Sequence, residues 1–175
     1  MQEKLRTAWL VVDFFTHRHR LSGRLNVRHK KLADQLNDTT SSFIELEDAY
    51  ISNISQSADI IASYSSVILR KAKLTAVIVA QQEDGLRRDQ SYGSYFGAYL
   101  RQVFITTSSL EITGHLRLSG KMDMRTVLTT GTDAFIPILD GEMRIALLRD
   151  AIFTGGMILV NKNQIGAFCI VEEKE

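Results

Sequence analysis

The feature that most constrains this chain is an internal repeat. Residues 21–51 contain LSGRLNV, then KLADQLN, then SSFIELEDAYI, and residues 112–143 contain ITGHLRL, DMRTVLT and DAFIPILDGEM in the same order. Gly114 follows Gly23 by 91 positions, while Phe135 follows Phe43 and Asp140 follows Asp48 by 92. The offset slips by one in the intervening loop, where SGKM stands against RHK. A unit of about 90 residues is long enough to carry its own core. The repeat predicts two similar units, residues 1–80 and 98–175, joined by a linker over 81–97.

Within the first unit, WLVVDFF at residues 9–15 has the aromatic and branched composition of a strand. Leu21, Gly23, Leu25 and Val27 alternate with Ser22, Arg24 and Asn26, the period of a half-buried strand. Gly23 falls on the inward face and predicts close backbone approach or a sharp bend, as in a small barrel. Leu32 and Leu36 lie four apart, so one helical turn sets both on one side, and Asn37 is suited to end it. Phe43, Ile44 and Leu46 open another strand, with Asp48 as a turn or bulge before residues 50–54. Residues 55–66 are small and polar apart from Ile60 and Ile61, and the next strand is read only at 67–69. A basic tight turn at 70–73 leads to 74–80, whose consecutive apolar residues mark a buried closing strand.

The linker holds three glycines and the aromatics Tyr92, Tyr95 and Phe96, which are expected to pack onto one of the units. In the second unit Met124 and Leu128 take the places of Leu32 and Leu36. Pro137 replaces Glu45 and marks an edge or bulged strand. Residues 157–170 read as the closing hairpin, and 152–160 as strand, turn and strand around Gly155 and Gly156. The predicted fold is mainly β: two tandem small barrels or rolls, each with a short helical turn.

A net charge of +1 leaves no global electrostatic role, so any charge effect is local. The single cysteine, Cys169, excludes an internal disulfide and is expected as a buried core thiol in GAFCIV. The run WLVVDFF is broken by Asp13 and no small-residue cleavage site follows, so no signal peptide is expected. No stretch approaches the roughly 18 apolar residues of a membrane span. The expected compartment is the cytoplasm.

The succession of a glycine-bearing strand, an L-x-D-x-L-N turn, an F-I-x-L-x-D-A strand and a hairpin with a basic turn resembles the Sm-like family of small β barrels. The first Sm-like motif corresponds to Gly23, Leu25, Asp34, Asn37, Leu46, Asp48 and Ala49, and the second to residues 67–79 with Arg70 and Lys71 at the turn. The chain also resembles uncharacterised bacterial domains with this L-x-D-x-L-N…F-I-x-L-x-D-A signature. The Sm-like resemblance implies exposed edges that pair strand to strand, and an RNA-base site at Asn37 and Arg70. In the second unit Thr126 and Thr129 replace Asp34 and Asn37, and Asn161-Lys162 replaces Arg70-Lys71, which confines that site to the first unit.

The sharpest local feature is HRHRLSGRLNVRHKK at residues 17–31, with Arg18, Arg20, Arg24, Arg28, Lys30 and Lys31 and no acid. In an unbroken strand the four arginines share the face opposite the leucines, a basic stripe suited to the phosphates of nucleic acid or anionic lipid. The competing reading pairs these cations with Glu45, Glu47 and Asp48. The second unit offers only His115, Arg117 and Lys121 there. His17 and His19 lack a third ligand, so no metal is expected, and no cofactor. Asp34, Asp48 and Asp140 sit where aspartate caps backbone N–H groups. No G-x-S-x-G, P-loop, G-x-G-x-x-G or H-E-x-x-H pattern is present. The sequence thus predicts a non-enzymatic interaction or scaffold module that forms homo-oligomers or binds a protein partner through β edges. The alternative is RNA binding through residues 17–31, with Asn37 and Arg70.

Overall fold

The repeated pattern is realised as two runs of similar elements in a computed structural model that describes residues 8–87, 98–119, 124–129 and 131–172. The first run is β1 (Trp9–Phe15), β2 (His19–Asn26), α1 (Leu32–Asn37), β3 (Phe43–Asn53), β4 (Ile60–Arg70) and β5 (Ala76–Val79). A short helix, α2 (Gln82–Gly85), follows. The second run is β6 (Ala98–Thr106), β7 (Leu110–Ser119), α3 (Met124–Thr129), β8 (Phe135–Ile145), β9 (Leu148–Asn161) and β10 (Ala167–Ile170). Residues 1–7, Tyr92, Tyr95 and Phe96 of the expected linker, and Lys121 lie outside the described residues.

All ten strands among the described residues belong to one antiparallel sheet in the order β10-β6-β7-β8-β9-β5-β1-β2-β3-β4. Each half contributes five strands in the same spatial order: its last strand, then its first to its fourth. The halves meet where β5 pairs with β9, Ala76 opposite Val160 through Val79 opposite Met157. The sheet is not closed; β4 and β10 are its two edges.

The consecutive apolar residues of β5 have a direct cause. Val77 and Val79 enter one core cluster with Phe14, Leu25, Leu46, Met157 and Leu159. Ala76 and Ile78 enter a second with Phe15, Ile105, Ile112, Ile158 and Val160. β5 and residues 157–160 of β9 are therefore buried on both faces, and each cluster draws on both halves. Each fully buried Leu or Ile contributes about 1.5–3 kcal/mol.

The two halves share one irregularity. Asp48 and Asp140 have φ of 48° and 47°, the left-handed region that a bulge residue adopts. Each adds one residue against the preceding strand: Ser22 pairs with Tyr50 but Arg24 with Glu47, and Thr113 pairs with Glu142 but His115 with Leu139. Gly23 and Gly114 face these bulges. A Cβ on Gly23 would lie 3.1 Å from the Glu47 carbonyl oxygen, and one on Gly114 2.9 Å from that of Leu139. Pro137 lies in the bulged strand β8, beyond the last β7–β8 pair at Leu139, so its missing N–H breaks no bond to β7.

Four expectations are corrected. Residues 157–170 do not form a closing hairpin, because β9 pairs with β8 and β5 while β10 crosses to pair with β6. The expected small polar segment at 55–66 is only partly a connection, because β4 begins at Ile60; its residues up to Val67 are exposed or half-buried, so no buried alternation marked the strand. No turn interrupts residues 152–160: β9 runs straight through Gly155 and Gly156. These glycines admit the β5–α2 connection, since a Cβ on Gly156 would lie 2.5 Å from the Ala80 carbonyl oxygen. Cys169 is exposed, not a core thiol, because β10 is an edge strand.

Candidate functional site

The basic stretch does not form one continuous stripe. β2 ends at Asn26, which leaves Arg20 and Arg24 on its outward face and Arg18 and Arg28 beyond its two ends, both exposed. Arg20 grips Asp13 of β1 through both carboxylate oxygens, Nε to Oδ1 at 3.3 Å and Nη2 to Oδ2 at 3.1 Å. Its guanidinium also lies 5.2 Å from the ring of Phe153 in the second half. Arg24 bonds the Asp48 carboxylate and lies 5.1 Å over Trp9, with Glu47 at 3.9 Å. Lys30 pairs with Asp38. Glu45 instead accepts from the Ser66 hydroxyl at 2.9 Å. Arg70 stacks on Phe43 at 4.7 Å. Lys31 is half-buried, and its carbonyl accepts from Gln35 N at 2.9 Å as α1 begins. Such partly exposed pairs contribute about 0–1 kcal/mol each.

Asn37 and Arg70 do different work. The Asn37 Oδ1 accepts from the backbone N–H of Phe135 at 2.9 Å, a bond from α1 to β8 of the other half. The residue that joins the basic turn to the end of α1 is Lys71, which the sequence reading did not single out as a site residue. It is 8% exposed, and its Nζ donates to the Asp38 carbonyl at 3.0 Å. Burial pushes its ammonium below the ordinary lysine value, partly offset by Asp38. The signal was available: Leu69 is inward, and period two carries Lys71 to the same side. Lys162, 91 positions on, repeats the contact by donating to the Gly131 carbonyl at 2.7 Å. A lysine that ties this turn to the post-helix loop in both halves serves the architecture.

Between these elements lies a cleft of about 300 Å³, lined by His29, Lys30, Gln35, Asp38, Phe43 and Lys71, among others. The Lys30 ammonium, with the Thr40 hydroxyl and N–H, holds the Asp38 carboxyl well below the usual carboxylate range. That carboxylate faces any incoming anion and offsets one of the two lysine charges. His17 contacts the Ser108 hydroxyl at 2.8 Å. Among the described residues, no three His, Cys, Asp or Glu side chains gather as a metal site would require.

The open edges are the other candidate surface. β4 presents eleven residues, IIASYSSVILR, with no charge before Arg70 and no proline. Ile60, Ile61, Tyr64 and Ile68 stand exposed along it, Ile68 at 65%. Edge strands that stay single are normally short, charged or broken by proline or bulges; β4 has one irregularity, at Ile61 near its start, and keeps an even register with β3 from Ala62 to Arg70. At the other end, Cys169, Ile170 and Val171 are exposed. No helix among the described residues is long and apolar enough to cross a membrane. Set against protein-family models, curated proteins and solved structures, the chain matches none.

Proposed function

We propose that this chain is a non-enzymatic module that self-associates through its β edges to build a homo-oligomer or scaffold. We further propose that its halves are tandem Sm-like units arisen by duplication, and that it works in the cytoplasm. The observation that carries the reading is the eleven-residue edge of β4, uncharged until its last residue, with Ile60, Ile61, Tyr64 and Ile68 exposed along it. The duplication rests on the shared strand order and on the matching bulges at Asp48 and Asp140. The lone Cys169 fits a reducing compartment.

The second reading is RNA binding through Arg18, Arg20, Arg24, Arg28, Lys30 and Lys31 with Asn37 and Arg70, and the cleft beside Lys30 and Lys71 favours it. Against it stand the acids already held by Arg20, Arg24 and Lys30. Light scattering after size-exclusion chromatography, with and without short mixed RNA at low salt, separates the two. A discrete assembly unchanged by RNA is expected. A monomer across the whole concentration range overturns self-association. A shift with RNA that vanishes at higher salt, as released counterions require, moves the assignment to the basic stretch.

A further inference from the structure

We infer that the occupant of the β4 edge is β10 of a second copy of this chain, in the register of the internal seam. This rests on the self-association proposed above and names its junction. The chain contains one example of what it offers at its ends: β5 pairs with β9 in the middle of the sheet. A shift of 91 residues turns β5 into β10 and the paired part of β9 into the end of β4. The seam pairs Ala76 with Val160, Val77 with Leu159 and Ile78 with Ile158. The same register sets Ala167 opposite Leu69, Phe168 opposite Ile68 and Cys169 opposite Val67.

Several observations support a second copy as the occupant. β4 and β10 are the two ends of the sheet order and do not pair with each other among the described residues. The seam position Leu159 is 1% exposed, whereas its counterpart Ile68 is 65% exposed. The six positions named for the junction are all apolar or cysteine, as the seam requires. The contact is head to tail, so it leaves a free β4 and a free β10 after every addition, until a ring closes or a filament extends.

The junction cannot copy the seam throughout. Ser65 occupies the place of Gly156, where a Cβ would lie 2.5 Å from the Ala80 carbonyl oxygen. The chain beyond Ile170 must therefore turn away from β4. Arg70 stands where Asn161 donates from Nδ2 to the Leu74 carbonyl at 2.8 Å, and Arg70 is engaged with Phe43. The junction lacks this bond of the seam, so it forms reversibly and depends on concentration.

Cys169 provides the test, because it is the chain's only cysteine. Opposed antiparallel residues have Cα atoms about 4.5–5.5 Å apart, within the range a disulfide spans. In the full chain, Val67→Cys should cross-link to Cys169 of a neighbour under mild oxidation or with a short bis-maleimide, giving a ladder of covalent multimers. Ser63→Cys, out of register, should not, and Val67→Cys with Cys169→Ser should lose the junction cross-link. Ile68→Lys should abolish assembly without lowering the melting temperature, since that side chain is exposed. In the unsubstituted protein, thiol labelling of Cys169 should slow as concentration rises. Multimers by light scattering with Ser63→Cys cross-linking in place of Val67→Cys would overturn this junction and leave self-association standing. A monomer at every concentration would remove both.

Discussion

Gly156 marks a close backbone approach at the end of the seam. Its N–H donates to the Ala80 carbonyl oxygen at 3.0 Å. A Cβ at this position would lie 2.5 Å from that oxygen and 2.9 Å from the Gln82 nitrogen. Carbon and carbonyl oxygen rest about 3.3–3.6 Å apart even in their closest favourable contacts. Gly156→Ala therefore forces the backbone between Ala80 and Gln82 back by roughly 1 Å, and such overpacking costs about 1–3 kcal/mol. The Gly156 backbone is outside the left-handed region. Without a clash, alanine would stabilise by about 0.4–1 kcal/mol through the unfolded chain. The net expectation is a loss of about 1–2 kcal/mol, a fall of roughly 2–8 °C in Tm for a chain of this size. Thermal and urea unfolding followed by circular dichroism read it directly. Gly23→Ala is the internal comparator, since its Cβ would meet nothing closer than 3.1 Å, and it should cost less. A Gly156→Ala variant as stable as the parent, or more so, would refute the close approach of β9 to the β5–α2 connection.

Asn37→Ala leaves the Phe135 N–H without its acceptor and should cost about 1–3 kcal/mol in urea unfolding; an unchanged midpoint would show that the halves are not tied there. Arg20→Ala removes the Asp13 pair and the Phe153 stacking, for a loss of about 0.5–1.5 kcal/mol. Part of that loss should disappear in high salt as the pair is screened; a loss equal at both ionic strengths would deny the pair any share. For Lys71 the folded value is lowered from the ordinary 10.5, so the unfolded chain binds more protons between the two values. Stability should then rise with pH across that alkaline window relative to Lys71→Gln, and a flat difference between the two proteins would count against burial of the ammonium.

Much of the first half was legible because its elements carry a clear period. Residues 9–15 match β1, and Leu32–Asn37 matches α1 to the residue. Asp48 declared its bulge because aspartate tolerates the left-handed conformation. Residues 60–66 did not show themselves, because an edge strand exposed on both faces has no inward set to alternate with an outward one. Gly155 and Gly156 misled for a related reason: a pair of glycines marks a turn or a close crossing alike, and only the neighbouring connection decides between them. Cys169 lies in a run as apolar as a core strand, yet its exposure depends on whether another strand lies beside β10. At the basic stretch the residue types were plain, but their partners were not. Asp13 holds Arg20 from the neighbouring strand, and Asn37 is engaged by a residue 98 positions away.

The seam also has a consequence for how the protein is made. When Val79 leaves the ribosome, β5 can pair with β1 on one side, but its other partner, Met157 to Val160 of β9, has not been synthesised. At about 5–20 residues per second the missing strand arrives roughly 4–16 s later. For that interval the nascent first half holds out a four-residue apolar edge, AVIV, that is wholly buried in the finished sheet. Folding of this chain is therefore a race between its own β9 and any other strand that reaches the same edge first.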